Sequence, residues 1–213
     1  MHNKGVFISF EGLDGCGKST QVSMLKDYLS TIKCKSFFIK GHPAYNGVKE
    51  QIINSFGYID PIAMFLLTMA KHKVVEMEVQ RRIDSPQVIV VDRYIDTSIA
   101  YTLANTDGNE RVKGLIDSIL PMFQLPTITF FINTPPEIAL RRKRNLMFDQ
   151  IELGNVKPLN ISEEKAFLLN QSKAFDYYCK IAQNNPQRFI IVDGTQTREQ
   201  MHEKVREEVA RLL

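Results

Sequence analysis

Tryptophan is absent from the 213 residues, cysteine occurs only three times and histidine four times. Cys16, Cys34 and Cys179 show no C-x-x-C spacing, and one of them is necessarily odd. That argues against a secreted disulfide scaffold and against a structural zinc site. No apolar run approaches the roughly 20 residues that a membrane-spanning helix needs. Met1-His2-Asn3-Lys4 runs straight into a strand-like stretch without the apolar core of a signal peptide. A dominant charge is missing too. With 27 basic and 24 acidic side chains the net charge is +3, too balanced to predict nucleic acid or an anionic membrane as a partner. The expected setting is reducing cytoplasm. What remains is ordinary: 44% apolar and 24% charged residues, enough for one domain spanning 1–213 with a sizeable core. Glycine is scarce, yet three of the 11 fall between positions 12 and 17.

Five short runs are apolar with almost no alternation: Val6–Phe10, Ser36–Ile39, Val88–Val91, Ile128–Ile132 and Phe189–Val192. Branched and aromatic residues without a polar face predict strands buried on both sides, as in a parallel sheet. Between them lie segments with helical spacing. Gln21–Ile32 places Val22, Leu25, Leu29 and Ile32 on one face, Pro61–Ile83 is long and largely apolar, and Thr197–Leu213 carries Met201, Val205, Val209 and Leu212 among charges. Strands alternating with helices predict an open α/β sheet. The pattern breaks after Arg141-Arg142-Lys143-Arg144. The stretch from Asn145 to Ser162 mixes Asn, Gly, Pro and charges, and the region 141–162 reads as a mobile lid loop.

Gly12-Leu13-Asp14-Gly15-Cys16-Gly17-Lys18-Ser19 matches G-x-x-x-x-G-K-[ST], directly after a predicted strand and before a predicted helix. The glycines let the backbone curl so that successive N–H groups face phosphate oxygens, and the helix N-terminus adds its partial positive charge. Lys18 is expected to reach the β- and γ-phosphates, and the Ser19 hydroxyl to ligate Mg²⁺. Residues Gly12 to Thr20 are thus the candidate ATP-binding segment. Cys16 lies inside this nest, where donor groups favour a thiolate; its alternative role is a small side chain filling a tight loop. Val88–Val91 runs into Asp92-Arg93-Tyr94. An aspartate at the carboxyl end of a buried strand beside a phosphate loop has the arrangement that holds Mg²⁺, although a strand-ending Asp also serves as a helix cap. Arg93 next to it suits a bidentate grip on a second phosphate group.

Phe10-Glu11-Gly12-Leu13-Asp14-Gly15-Cys16-Gly17-Lys18-Ser19-Thr20-Gln21 resembles the opening of thymidylate kinases. Asp92-Arg93-Tyr94-Ile95-Asp96-Thr97-Ser98-Ile99-Ala100-Tyr101 is similar to that family's D-R-Y-x-x-S-x-x-A-Y stretch. Pro135 to Arg142 and Asp149-Gln150-Ile151-Glu152 resemble its lid-flanking segment, and Tyr178 to Ala182 and Val192-Asp193-Gly194 continue the match. The resemblance implies a five-stranded parallel sheet of order 2-3-1-4-5 and transfer of the ATP γ-phosphoryl group to dTMP. It places Asp14 at the acceptor sugar, Arg93 at the acceptor phosphate, and Ser98 and Tyr101 beside the nucleoside; their i, i+3 spacing also suits a packed helix face. The family is usually homodimeric, and the apolar segments 61–83 and 94–103 are candidate dimer surfaces.

An acceptor monophosphate with a second pKa near 6 is already ionised at neutral pH. No general base is then needed, and His42 and His72 read as structural. Catalysis rests on charge neutralisation and alignment by Lys18, Asp92 with Mg²⁺, Arg93 and lid arginines, with water kept out by a closing loop. Family members carry a catalytic arginine either in the phosphate loop or in the lid. Gly15 stands at the loop position, which implies the lid type; because Gln150 replaces the usual lid arginine, the candidates are Arg142 and Arg144. The thymine-reading arginine is also replaced, by Ala70 in a gapless alignment. Lys71 takes that place if the register shifts by one, and Phe65 either stacks on a base or packs. The segment Lys40-Gly41-His42-Pro43 keeps only the proline of the family's R-E-P-G. These departures leave room for a kinase of another nucleoside monophosphate, or for a non-catalytic nucleotide-binding paralogue.

Overall fold

The computed structural model describes residues 4–40, 51, 59–143 and 161–213. Five strands form one parallel sheet of order β2-β3-β1-β4-β5: β1 (Val6–Glu11), β2 (Ser36–Ile39), β3 (Val88–Asp92), β4 (Ile128–Asn133) and β5 (Phe189–Asp193). Seven described helices flank it: α1 (Lys18–Thr31), α2 (Pro61–Ile83), α3 (Ile95–Asn105), α4 (Glu110–Ile119), α5 (Pro136–Arg142), α6 (Glu163–Asn184) and α7 (Arg198–Ala210). The expected strand order is the observed one.

Burial on both faces holds for the inner strands and fails at the edges. Val6, Ile8 and Phe10 of β1 belong to one core cluster with Leu25, Leu29, Val205 and Val209, while Phe7 belongs to another with Phe65, Val79 and Tyr94. Alternate side chains of a strand point to opposite faces, so both faces of β1 are covered. β2 is only half-buried along its length, and Ile191 in β5 is 52% exposed, because an edge strand lacks a neighbour on one side.

α1 begins earlier than the apolar spacing suggested, at Lys18, because Gly17 takes a left-handed conformation (φ 107°) and turns the chain directly into the helix. α2 has the expected bounds. Asp60 caps it, its carboxylate accepting from the amides of Ile62 (2.8 Å) and Ala63 (3.1 Å), and Pro61 opens the first turn. β1 lies between β3 and β4, with Phe10 opposite Asp92 and Glu11 opposite Phe131. The chain moves outward from β1 in both directions, so a crevice opens at the carboxyl ends of β1, β3 and β4, where open α/β sheets bind ligands.

The 94–103 segment is not an available dimer surface. Tyr94, Ile95, Ile99, Ala100, Tyr101 and Leu103 are all buried within the protomer. α2 instead exposes Ile62, Leu66, Val74 and Met77, while its Phe65, Met69 and Val79 are buried. The loop at 141–162 lies largely outside the described residues, as do Arg144, the Asp149 to Glu152 segment and the Gly41-His42-Pro43 stretch.

Candidate active site

The loop between β1 and α1 curls around the Lys18 ammonium. Lys18 Nζ donates to the Leu13 carbonyl (2.6 Å) and lies 3.5 Å from Cys16 Sγ. Leu13 and Cys16 are fully buried beneath the loop, so Cys16 serves as a small packing residue there. Gly15 adopts φ +82°, and a Cβ at that position would lie 2.4 Å from the Ala139 carbonyl of α5. The loop therefore has no room for a side chain at 15 unless α5 moves.

Ser19, in the first turn of α1, donates its hydroxyl to Asp92 Oδ2 at 3.0 Å, across to the end of β3. Two oxygen groups from separate elements are thus side by side at the mouth of the phosphate loop. Among the described residues no group of three or more His, Cys, Asp or Glu side chains could hold a metal. One carboxylate and one hydroxyl, completed by phosphate oxygens and water, is a donor set that suits Mg²⁺.

Arg93 follows Asp92 in a left-handed conformation, φ 69°, uncommon for a residue with a side chain. Its Nη2 pairs with Asp14 Oδ1 at 2.5 Å, and its Nη1 donates to the Gly12 carbonyl (2.9 Å), Thr97 Oγ1 (3.2 Å) and Tyr178 Oη (3.4 Å). Burial alone would raise the Asp14 pKa. Arg93 and Lys18 outweigh it and, with a hydrogen bond from Tyr101 Oη at 3.2 Å, hold the carboxylate below its ordinary range. Tyr101 Oη also lies 2.7 Å from Gln171 Oε1, so its single proton is shared between two acceptors, and burial pushes its phenol well above 10, so it stays protonated.

Glu11, the only charged residue of β1, is fully buried. Oε1 accepts from the Tyr94 amide at 2.8 Å and Oε2 from the Thr97 hydroxyl. Burial and the nearby Asp96 push its carboxyl up to about 7, against the pull of the Thr97 and Tyr94 hydrogen bonds. Asp96 itself pairs with Arg188 through both oxygens (2.7 and 2.8 Å), and Arg188 also donates to Thr129 Oγ1 (3.1 Å), tying the first turn of α3 to β4.

The crevice is a cavity of about 930 Å³ whose lining includes Gly17, Lys18, Ser19, Thr20 and Asp92 together with Asp14, Arg93, Lys40 and Lys71. Arg141 and Arg142 complete the lining, and Arg142 Nη1 donates to the Gly194 carbonyl at 2.7 Å. The phosphate-loop residues, Asp92, Arg93, Lys71 and Arg142 are therefore brought together, with Tyr101 behind Asp14. Phe65 is not: it is 1% exposed and packed in the core against residues such as Met69 and Tyr94. Ser98 faces α2, its hydroxyl 3.0 Å from His72 Nε2. His72 is buried edge-on against Tyr94, and burial together with Lys71 keeps its pKa well below 6.5, consistent with its structural reading.

Sequence reasoning gave no role to Glu11, Thr97, Gln171, Tyr178 or Lys40. A carboxylate inside an apolar strand and a threonine four residues after Arg93 were readable signals. Tyr178 stood only as the start of a matching stretch and Gln171 had no signal, because their contacts to the site span 70 residues or more.

A phosphate loop at the end of the central strand, with a carboxylate on the neighbouring strand and an arginine across the cavity, defines a phosphate-loop nucleotide-binding α/β protein. The family model for thymidylate kinase matches residues 10–205, and the chain belongs to that family of nucleoside monophosphate kinases. It is similar to a thymidylate kinase of Thermoanaerobacter sp., 29% identical over 215 residues that cover 99% of this chain and 100% of the relative. Thymidylate kinases of Caldanaerobacter subterraneus (30% over 207 residues, 95% and 93% covered) and Fervidobacterium nodosum (30% over 204 residues, 94% and 96% covered) are similarly related.

Proposed function

We propose that this protein transfers the γ-phosphoryl group of ATP to dTMP, giving dTDP and ADP. The observation that carries the reading is the one cavity that Lys18, Ser19 and Asp92 line together with Asp14 and Arg93. Its phosphate loop suits a triphosphate, and Arg93 in the same lining suits a monophosphate.

Lys18 neutralises charge on the β- and γ-phosphates, and the backbone amides of the loop hold them. Ser19 and Asp92 would hold Mg²⁺, which would supply charge neutralisation for the phosphates. Arg93 grips the acceptor phosphate and aligns its ionised oxygen with the γ-phosphorus; Asp14, fixed by Arg93 and Tyr101, meets the acceptor sugar. Lys71 and Lys40 supply positive charge on the acceptor side. Arg142, at the end of α5 in the cavity lining, together with Arg144 from beyond the described residues, is assigned to stabilising charge spreading over the transferred group. No residue acts as general base, since the attacking oxygen carries no proton at neutral pH.

A coupled assay with ATP, Mg²⁺ and a panel of nucleoside monophosphates tests this. The highest kcat/KM is expected for dTMP; a strong preference for dUMP or a purine monophosphate overturns it. The exposed α2 face of Ile62, Leu66, Val74 and Met77 is assigned to a second copy of the chain. Light scattering is expected to give a dimer, and a monomer at high concentration removes that assignment. Among the described residues no helix is long and apolar enough to cross a membrane.

A further inference from the structure

Thr97 Oγ1 makes three close contacts: with Glu11 Oε2, with Tyr178 Oη at 2.7 Å and with Arg93 Nη1 at 3.2 Å. A hydroxyl has one proton and two lone pairs. Arg93 can only donate, so that contact uses a lone pair. With Glu11 ionised, as it is above about 7, the single Thr97 proton goes to its carboxylate and the second lone pair accepts from Tyr178. Tyr178 has then used its own proton and meets Arg93 Nη1 (3.4 Å) with a lone pair. Every proton in the chain points towards Glu11, and both hydroxyls present lone pairs to the guanidinium.

The other Glu11 oxygen acts on the backbone. It accepts from the amide of Tyr94, while the Arg93 amide donates to the Phe10 carbonyl at 3.1 Å. Both amides flanking the left-handed Arg93 are therefore held by consecutive residues of β1. Backbone conformations of this kind persist where the surroundings over-determine them.

We propose that Glu11 is a positioning residue for acceptor-phosphate recognition, one carboxylate that sets both the backbone of Arg93 and the hydroxyl pair that orients its guanidinium. The proposal rests on the reading of Arg93 as the acceptor-phosphate ligand. Among the described residues Nη1 is occupied by Gly12, Thr97 and Tyr178 and one Nη2 proton by Asp14, which leaves Nε and the other Nη2 proton for an anion. Swinging or rotating the guanidinium would misdirect those donors.

The test compares Glu11→Gln, Thr97→Val, Thr97→Ser and the double variant Glu11→Gln/Thr97→Val in steady-state kinetics with both substrates varied. Glu11→Gln is expected to lower kcat/KM for dTMP by about 10–100-fold, the scale of a slight misplacement of a binding group, with KM for ATP within about twofold of the parent. Thr97→Val should reproduce most of that loss, Thr97→Ser should recover it by restoring the hydroxyl, and the double variant should lose little more than either single one. Equal losses for ATP and dTMP, additive losses in the double variant, or parental kinetics in Thr97→Val would each overturn the proposal. Should Glu11→Gln fail to fold, the Thr97 pair decides alone. A parent protein that does not phosphorylate dTMP would instead remove the activity reading. The crystal structure of Thr97→Val then judges the clamp: Arg93 displaced from Gly12 and Asp14 supports it, and Arg93 unmoved overturns it.

Discussion

In the proposed reading one unbroken stretch of chain between Gly12 and Thr20 makes the donor side of the cavity. The acceptor side is assembled from Asp14 in the loop, Arg93 after β3, Thr97 and Tyr101 on α3, and Gln171 and Tyr178 on α6. The donor side binds groups common to all nucleotides, for which a curled backbone and one ammonium suffice. The acceptor side must hold a guanidinium in one orientation, and that takes side chains arriving from several directions. Local geometry serves the general task and tertiary contacts serve the particular one. The two sides touch at Gly12 and Asp14, both of which bond to Arg93.

The largest separation of the two sides should come from Lys18→Ala. With the ammonium gone from the loop, kcat is expected to fall by about 10²–10³-fold or more, while dTMP still binds in calorimetry. Turnover near the parental rate would remove Lys18 from the chemistry. Next in size, Arg93→Lys replaces a planar fork by a point charge that cannot serve Gly12, Asp14 and Thr97 together. A loss of about 10²-fold in kcat/KM for dTMP is expected, with KM for ATP nearly unchanged; a parallel rise in KM for ATP would mean that the two sides are not separable.

Gly15→Ala probes the donor side through its backbone. The added Cβ meets the Ala139 carbonyl and a left-handed φ at once, so urea denaturation should show a loss of about 1–3 kcal/mol and the KM for ATP should rise. An unchanged midpoint would show that α5 yields freely. The smallest effect concerns the α2–α3 wall of the acceptor side. His72 is held neutral in the folded chain well below 6.5, whereas the unfolded chain takes up a proton near 6.5. Its contribution to stability is complete above 6.5 and is lost as pH falls below it, with a slope of up to about 1.4 kcal/mol per pH unit. Urea midpoints between pH 7 and 5 should fall more steeply for the parent than for His72→Gln, and parallel curves would contradict the assignment.

Strands β1, β3 and β4 were legible because a strand buried on both faces has no choice but an apolar run. The same reasoning overstated β2 and β5, since a run of Phe and Ile does not say whether a neighbour exists on the far side. Gly12 to Ser19 was legible because its chemistry is local: spacing, glycine and lysine are all within one turn of chain. Phe65 and Ser98 show the limit. Their spacing permits either a site or a core position, and only the packing of α2 on α3 puts Phe65 among Met69 and Tyr94 and turns Ser98 to His72. Lys71, rather than Ala70, reaches the cavity lining, a difference of one residue in helical phase that periodicity alone does not resolve.

By itself the sequence determined the parallel sheet, the three glycines that make a phosphate cradle, and the Asp92-Arg93 pair that follows it on a neighbouring strand. Those features depend on interactions within a few residues, where composition and spacing are enough. The tertiary structure alone decided what the cradle lacks and what the arginine gains. Gly15 is closed to any side chain by a carbonyl of α5, and Arg93 owes its orientation to Glu11, Thr97 and Tyr178. Hydrogen bonds between residues some 80 positions apart have no signature in spacing, because only the folded sheet and helices bring their atoms within reach.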